Sequence, residues 1–225
     1  FGRAAERAVK AGFDGIQIHA AHGYLLSQFL SPVFNKRKDV YGGGIENRMR
    51  FLLEVLKKIR EKTGADYPVM IKMNSHDFLK GGLDLEEATI AAKMLETEGI
   101  DAIEISAGTP ASGAMGPARE KIDAPEKEAY NLEPARQMKA KVSCPVMVVG
   151  GFRSYEVCEA AIATHGMDFV AMSRPLIRQP DLPGRWEQGD HRPADCISCN
   201  KCFVPGLRYG GIYCMAERKR QSDQG

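Results

Sequence analysis

Five short apolar runs alternate along the chain with amphipathic stretches, and this alternation limits the fold more than any other feature. The runs are Gly15–Ala20 (GIQIHA), Val69–Asn74 (VMIKMN), Ala102–Ser106 (AIEIS), Val146–Gly150 (VMVVG) and Phe169–Ser173 (FVAMS). Each is mostly apolar and bounded by polar or turn residues, as expected of strands covered on both faces in a parallel sheet. Helical patterns occupy Phe1–Ala11, Glu46–Lys62, Leu85–Glu98, Leu132–Lys141 and Tyr155–Thr164. Gly12, Gly64, Gly99 and Gly166 follow four of them, where a left-handed helix stop is wanted.

Strand–helix alternation with right-handed crossovers means an α/β fold, either a doubly wound sheet or a barrel. Residues able to do chemistry gather at the C-terminal ends of the runs: His19, Lys72, Ser106, Gly150-Gly151 and Ser173-Arg174. A (β/α)₈ TIM barrel places its active site there, and so does an open sheet. Five strands do not close an eight-stranded barrel. On the barrel reading, residues 1–190 are the C-terminal five βα units, the first three being absent, and 191–225 are a Cys-rich extension. The chain begins with Phe1 inside a helical pattern, so the expectation is a fragment or a processed product.

A net charge of +2 gives no global pull toward nucleic acid or an anionic membrane. No apolar run approaches the ~20 residues of a membrane span, and the charged N-terminal stretch lacks the apolar centre of a signal peptide. The expectation is a soluble, cytoplasmic protein acting on a small molecule. Of the six cysteines, four lie between Cys196 and Cys214. In an intracellular chain such crowding favours metal binding over disulfides. Cys144 and Cys158 stand apart in apolar surroundings and read as buried, inert thiols.

The segment His19-Ala-Ala-His22-Gly-Tyr24 ends the first run. Two imidazoles three residues apart can converge on one ligand atom, where a pair of donors holds a carbonyl oxygen and the charge developing on it. Tyr24 adds a phenol that can donate a proton. A zinc pair, or histidines that only satisfy loop backbone, are equally consistent with this motif. Next comes a Gly-rich, highly charged loop, Ser31 to Gly44, leading into a helix. Its charges read as braces, and Asn47 and Arg48 as structural. Gly150-Gly151 and Ser173-Arg174 suit a phosphate, since glycines admit it close to backbone N–H groups and Arg adds a charge-assisted contact. The bland alternative is a tight turn with a surface Arg.

HAAHGY followed by SPVFNKRKDVYGGGIENRMRF resembles the Old Yellow Enzyme family of FMN-dependent oxidoreductases, of the NADH:flavin oxidoreductase type. The likeness continues in order through IKMN, VVGGFRS and MSRP to the cysteines. It implies that His19 and His22 hydrogen-bond the activating carbonyl of the substrate, or an anionic ligand stacked on the flavin, and that Tyr24 protonates the substrate's α-carbon. It further implies that Lys72, where many relatives carry Arg, lies under the N1/O2 edge of FMN as a fixed cation. A snorkelling surface lysine is the rival reading of Lys72. Gly150, Gly151, Ser173 and Arg174 become contacts to the FMN phosphate.

Cys196-x₂-Cys199-x₂-Cys202-x₁₁-Cys214 resembles the cluster of the 2,4-dienoyl-CoA reductase and trimethylamine dehydrogenase branch, where a [4Fe–4S] centre passes electrons to or from FMN. Three close cysteines and a distant fourth suit a cubane; a single zinc is the alternative. Dienoyl-CoA reductases carry a second catalytic histidine in this loop; here Ser106 to Met115 holds none, so the resemblance does not extend to dienoyl-CoA as substrate. The expected function is NAD(P)H-linked reduction of an activated C=C bond. Amine oxidation through the cluster and a non-catalytic zinc-binding remnant are the rivals. A redox partner or a homo-oligomer is compatible with this reading, and FAD would belong only to a further C-terminal domain.

Overall fold

The computed structural model describes residues 1–208 and 210–224, the last three as backbone only. Tyr209 and Gly225, both in the expected 191–225 extension, lie outside the described residues. The strands are β1 (Ile16–Ala20), β2 (Val69–Asn74), β3 (Ala102–Ser106), β4 (Val146–Val149) and β5 (Phe169–Ala171), ordered β1-β2-β3-β4-β5 in one sheet. The pairs from β1 through β4 are all parallel. This is the α/β arrangement of consecutive βα units in a (β/α)₈ barrel, as expected. The helices are α1 (Gly2–Lys10), α2 (Leu25–Leu30), α3 (Ile45–Thr63), α4 (Leu85–Thr97), α5 (Leu132–Lys139), α6 (Tyr155–Ala163), α7 (Arg174–Arg178), α8 (Leu182–Glu187), α9 (Phe203–Arg208) and α10 (Met215–Gln224). Among the described residues, no helix is long and apolar enough to cross a membrane.

The chain divides into two compact units. The first comprises Phe1–Pro117, Asn131–Val148 and Met167–Phe169; the second comprises Ala118–Tyr130, Val149–Gly166 and Val170–Gly225.

In the first unit the two faces of the sheet differ in chemistry. Ile18, Ala20, Val69, Ile71, Met73, Ile103, Ile105, Val146 and Val148 are all buried. The other face carries Gln17, His19, Lys72 and Glu104, because side chains alternate along a strand. Helix α3 buries Ile45, Met49, Leu52, Val55, Leu56 and Ile59, a stripe at helical spacing. Glu46 in its first turn and Arg60 and Lys62 in its last complement the helix dipole. Asp84 caps α4 by accepting from the Glu87 N–H at 3.0 Å.

The charged loop is braced as expected. Asn35 Nδ2 donates to the Phe29 and Tyr41 carbonyls at 2.8 and 2.7 Å. Arg37 pairs with Asp39 and lies over the rings of Phe29 and Tyr41. A Cβ on Gly42 would stand 2.1 Å from the Arg37 carbonyl oxygen, so only glycine closes this loop. Arg48 is structural too: 1% exposed, it donates to the Leu30 carbonyl and pairs with Glu87.

In the second unit the Glu128 carboxylate accepts from the backbone N–H groups of Arg153 and Ser154 at 2.7 and 2.9 Å and from Ser154 Oγ at 2.7 Å. It thereby fixes the start of α6. Leu182, Trp186 and Ala194 form a small core joined by Tyr155, Cys158, Met172 and Leu176.

One expectation needs correction: Cys144 and Cys158 are only partly buried. Cys144 sits in the turn before β4, with its N–H donating to Glu96, and Cys158 lies at the margin of the small core. Burial still pushes their thiols up, to about 11 and about 12, which keeps them protonated and unreactive.

Removing one partner of a buried ion pair leaves the other charge stranded. Arg48→Ala should therefore cost about 3 kcal/mol of stability in urea unfolding. Glu87→Gln should cost less, because the Glu87 side chain is 30% exposed.

Candidate active site at the ends of the first three strands

Parallel pairing sets His19 opposite Lys72 and Lys72 opposite Glu104. Three consecutive strands thus place an imidazole, an ammonium and a carboxylate in one row. Lys72 Nζ donates to Glu104 Oε1 at 2.7 Å, and Gln17 Nε2 donates to Glu104 Oε2 at 2.8 Å. Glu104 is 5% exposed. Lys72 is therefore held on the polar face by a buried carboxylate, contrary to a lysine snorkelling to the surface.

His19, at the end of β1, faces two rings from the loop that follows. The His19 and His22 ring centres are 5.2 Å apart, edge to face, and those of His19 and Tyr24 are 5.3 Å apart. The structure thus brings His19, His22 and Tyr24 together. Tyr24 stands largely exposed at the start of α2.

His22 adopts a left-handed conformation, φ 64°, which costs a non-glycine residue about 1 kcal/mol or more. Its N–H donates to Asn74 Oδ1 at 3.2 Å, which holds that conformation. The His22 Nε2 to Ser106 Oγ distance is 2.7 Å. Ser106 and Asn74 are both buried at strand ends, and the pattern HAAHGY gave no hint of either contact.

Burial pushes His22 down to about 3, with the charges of Lys72 and His19 adding to the effect. Burial and then Lys72 also lower His19, while Glu104 opposes them. At neutral pH both rings are uncharged, and each carries one N–H donor.

In the second unit, Gly151 has φ 75°, and a Cβ there would lie 2.9 Å from the Tyr130 ring. The Gly150 carbonyl accepts from the Tyr130 N–H at 3.1 Å. Arg174 Nη1 donates to the Arg119 carbonyl and to Asn200 Oδ1, both at 2.7 Å. Ser173 precedes α7 without capping it through its side chain.

All four clustered cysteines line one recess, together with Arg174, Arg178 and apolar Ile177, Ile197, Met215 and Ala216. Arg178 Nη1 lies 3.5 Å from Cys214 Sγ and its Nη2 is 2.7 Å from Glu217. Burial and the neighbouring Cys196 and Cys199 raise the pKa of Cys202, while Arg174 opposes them. Among the described residues, no three His, Cys, Asp or Glu side chains are close enough to hold a single metal ion.

Parallel βα units with such a row at their strand ends define an α/β barrel-type enzyme fold. The chain belongs to the NADH:flavin oxidoreductase / NADH oxidase family, whose model matches residues 1–192. It is 41% identical to an NADH oxidase of Thermoanaerobacter brockii over 206 residues, covering 90% of this chain and 31% of that protein. It superposes on 2-naphthoyl-CoA reductase with a TM-score of 0.77 at 36% identity, covering 89% of this chain and 30% of that one. With histamine dehydrogenase from Rhizobium sp. 4-9 the TM-score is 0.78 at 30% identity, covering 94% and 30%. The chain spans about a third of the length of these relatives.

The depressed His22 pKa makes stability depend on acid. Below the unfolded value of 6.5 the unfolded chain binds a proton that folded His22 refuses until about pH 3, so stability falls as pH drops through that window. By pH 5 the loss should reach about 2 kcal/mol. His22→Asn should remove most of this dependence, as read from urea midpoints between pH 7 and pH 5.

Proposed function

We propose that the protein to which this chain belongs is an FMN-dependent oxidoreductase that reduces an activated C=C bond using NAD(P)H. The observation that carries the reading is the convergence of His19, His22 and Tyr24 beside Lys72, in a chain of this family. The donor set suits a flavin: a fixed cation and neutral donors stand on one polar face. When bound, FMN supplies hydride to the substrate's β-carbon. Lys72 would be the fixed cation that offsets negative charge on the reduced flavin, and Gly150, Gly151, Ser173 and Arg174 would be the residues to hold a phosphate.

His19 and His22 donate to the substrate's carbonyl oxygen and hold the negative charge that builds there. Tyr24 gives its phenolic proton to the α-carbon. For His22 to donate, Ser106 must act first. If the Ser106 hydroxyl donates to Nε2, the ring's single proton sits on Nδ1 and can point to a ligand. The opposite tautomer would present a lone pair to an oxygen and repel it.

The cysteines suit a cluster more than one ion. A cubane shares four irons among four thiolates and spaces its ligands more widely than a tetrahedral zinc. Cys196, Cys199, Cys202 and Cys214 would hold it, and Arg174 and Arg178 would offset its negative charge. The likeness to histamine dehydrogenase favours one second reading, oxidation of an amine with electrons leaving through the cluster.

An enone should reoxidise the reduced full-length protein, whereas an amine that bleaches the oxidised protein would favour the second reading. His19→Ala or Ser106→Ala should slow reoxidation by about a hundredfold, the loss expected on removing or misdirecting one donor, with flavin content unchanged. Wild-type rates in both variants would return these residues to a structural role. Anaerobically purified protein should contain about four iron and four sulfide per chain. One zinc without sulfide would overturn the cluster.

A further inference from the structure

Glu104 has no part in the chemistry above, yet it is the most costly group in the row. It lies in mid-strand on β3, 5% exposed, and an ionised carboxylate there is tolerated only if paired. Both of its oxygens are taken, one by Lys72 Nζ at 2.7 Å and the other by Gln17 Nε2 at 2.8 Å. Backbone register builds the pair, since Lys72 is the residue opposite Glu104. The Lys72 side chain remains 21% exposed, so the ammonium keeps one side open on the polar face.

A lysine with a buried counter-ion does not present a full positive charge. What reaches a neighbouring ligand is the field of an ammonium partly cancelled by the carboxylate. Gln17 Nε2 donates to the second carboxylate oxygen and so favours the orientation in which the first meets the ammonium.

We propose that Glu104, anchored by Gln17, is a positioning residue that sets through Lys72 how strongly the site stabilises negative charge on reduced FMN. The inference rests on the proposed place of Lys72 at the flavin. Its consequence is a flavin of lower reduction potential, and so a stronger reductant, than an unpaired lysine would give. That suits donation to an alkene activated only by neutral hydrogen-bond donors.

The test is the midpoint potential of FMN bound to the full-length protein, with FMN affinity measured alongside. Glu104→Gln should raise the potential, favouring reduced flavin tenfold or more, which is about 30 mV for a two-electron couple. Lys72→Met should lower it, and the effect of Glu104→Gln should shrink in the Lys72→Met background, because coupled residues are not additive. If Lys72→Met shifts the potential but Glu104→Gln does not, the role of Glu104 is overturned and the flavin assignment stands. If Lys72→Met leaves both potential and FMN affinity unchanged, the placement of Lys72 falls and the inference with it. Should Glu104→Gln fail to fold, Gln17→Leu keeps both charges and frees one carboxylate oxygen. It should raise the potential by a smaller amount, and an unchanged potential there overturns the proposal.

Discussion

The candidate site depends on one buried amide. Asn74, fully buried at the end of β2, makes three side-chain hydrogen bonds to three different segments. Its Oδ1 accepts from the His22 N–H, and its Nδ2 donates to Asp77 Oδ1 at 3.1 Å and to the Gly108 carbonyl at 3.0 Å. The loops after β1, β2 and β3 are thereby tied to one side chain. Asp77 extends the network by accepting from the Leu83 N–H at 2.9 Å, and its carbonyl accepts from Ser112 Oγ at 2.5 Å. A buried polar network of this kind fixes geometry because each unmet member costs about 1–3 kcal/mol. His22 can hold a left-handed backbone, and its ring can reach Ser106, only while that network is intact.

On this frame, register determines electrostatics. Parallel pairing puts His19, Lys72 and Glu104 side by side, and the ammonium between the histidines and the carboxylate acts in both directions. It adds to burial in keeping the imidazoles neutral, and it is itself held by Glu104. A site with two neutral donors and one compensated cation can stabilise charge that develops during a reaction without carrying a large charge beforehand.

The fold was legible because period and punctuation agree. The five strands fall inside the five apolar runs, and Gly12, Gly64, Gly99 and Gly166 all take positive φ after their helices. Helix α2 was not foreseen, since LLSQFL is too short and too uniformly apolar to reveal a period. Helices α7 to α9, of five or six residues each, are likewise too short to reveal a period. Within the site, the histidines and Tyr24 were readable because they are close in sequence. Glu104 and Ser106 were not read as partners, because their contacts span 32 and 84 residues and exist only through strand pairing. Arg174 was read as a phosphate contact from its place after β5. Its hydrogen bonds to the Arg119 carbonyl and Asn200 depend on segments that a local pattern does not reveal.

Backbone strain marks positions where surrounding contacts over-determine the chain. His22, Ser198 and Asn200 are among the non-glycine residues with positive φ, at 64°, 51° and 57°. Asparagine tolerates this region, but histidine and especially serine pay for it unless surrounding contacts over-determine the shape. For His22 those contacts are Asn74 and Ser106. For Asn200 they are Arg174 and the Ala118 carbonyl, the latter at 2.7 Å, and Ser198 is held by burial at 2% exposure. Residues of positive φ on either side of Cys199 coil the chain between Cys196 and Cys202. Within that coil Ile197 is 61% exposed, while Cys196 is buried. The coil turns Cys196, Cys199 and Cys202 toward one recess, as the left-handed His22 brings its ring edge to face with His19.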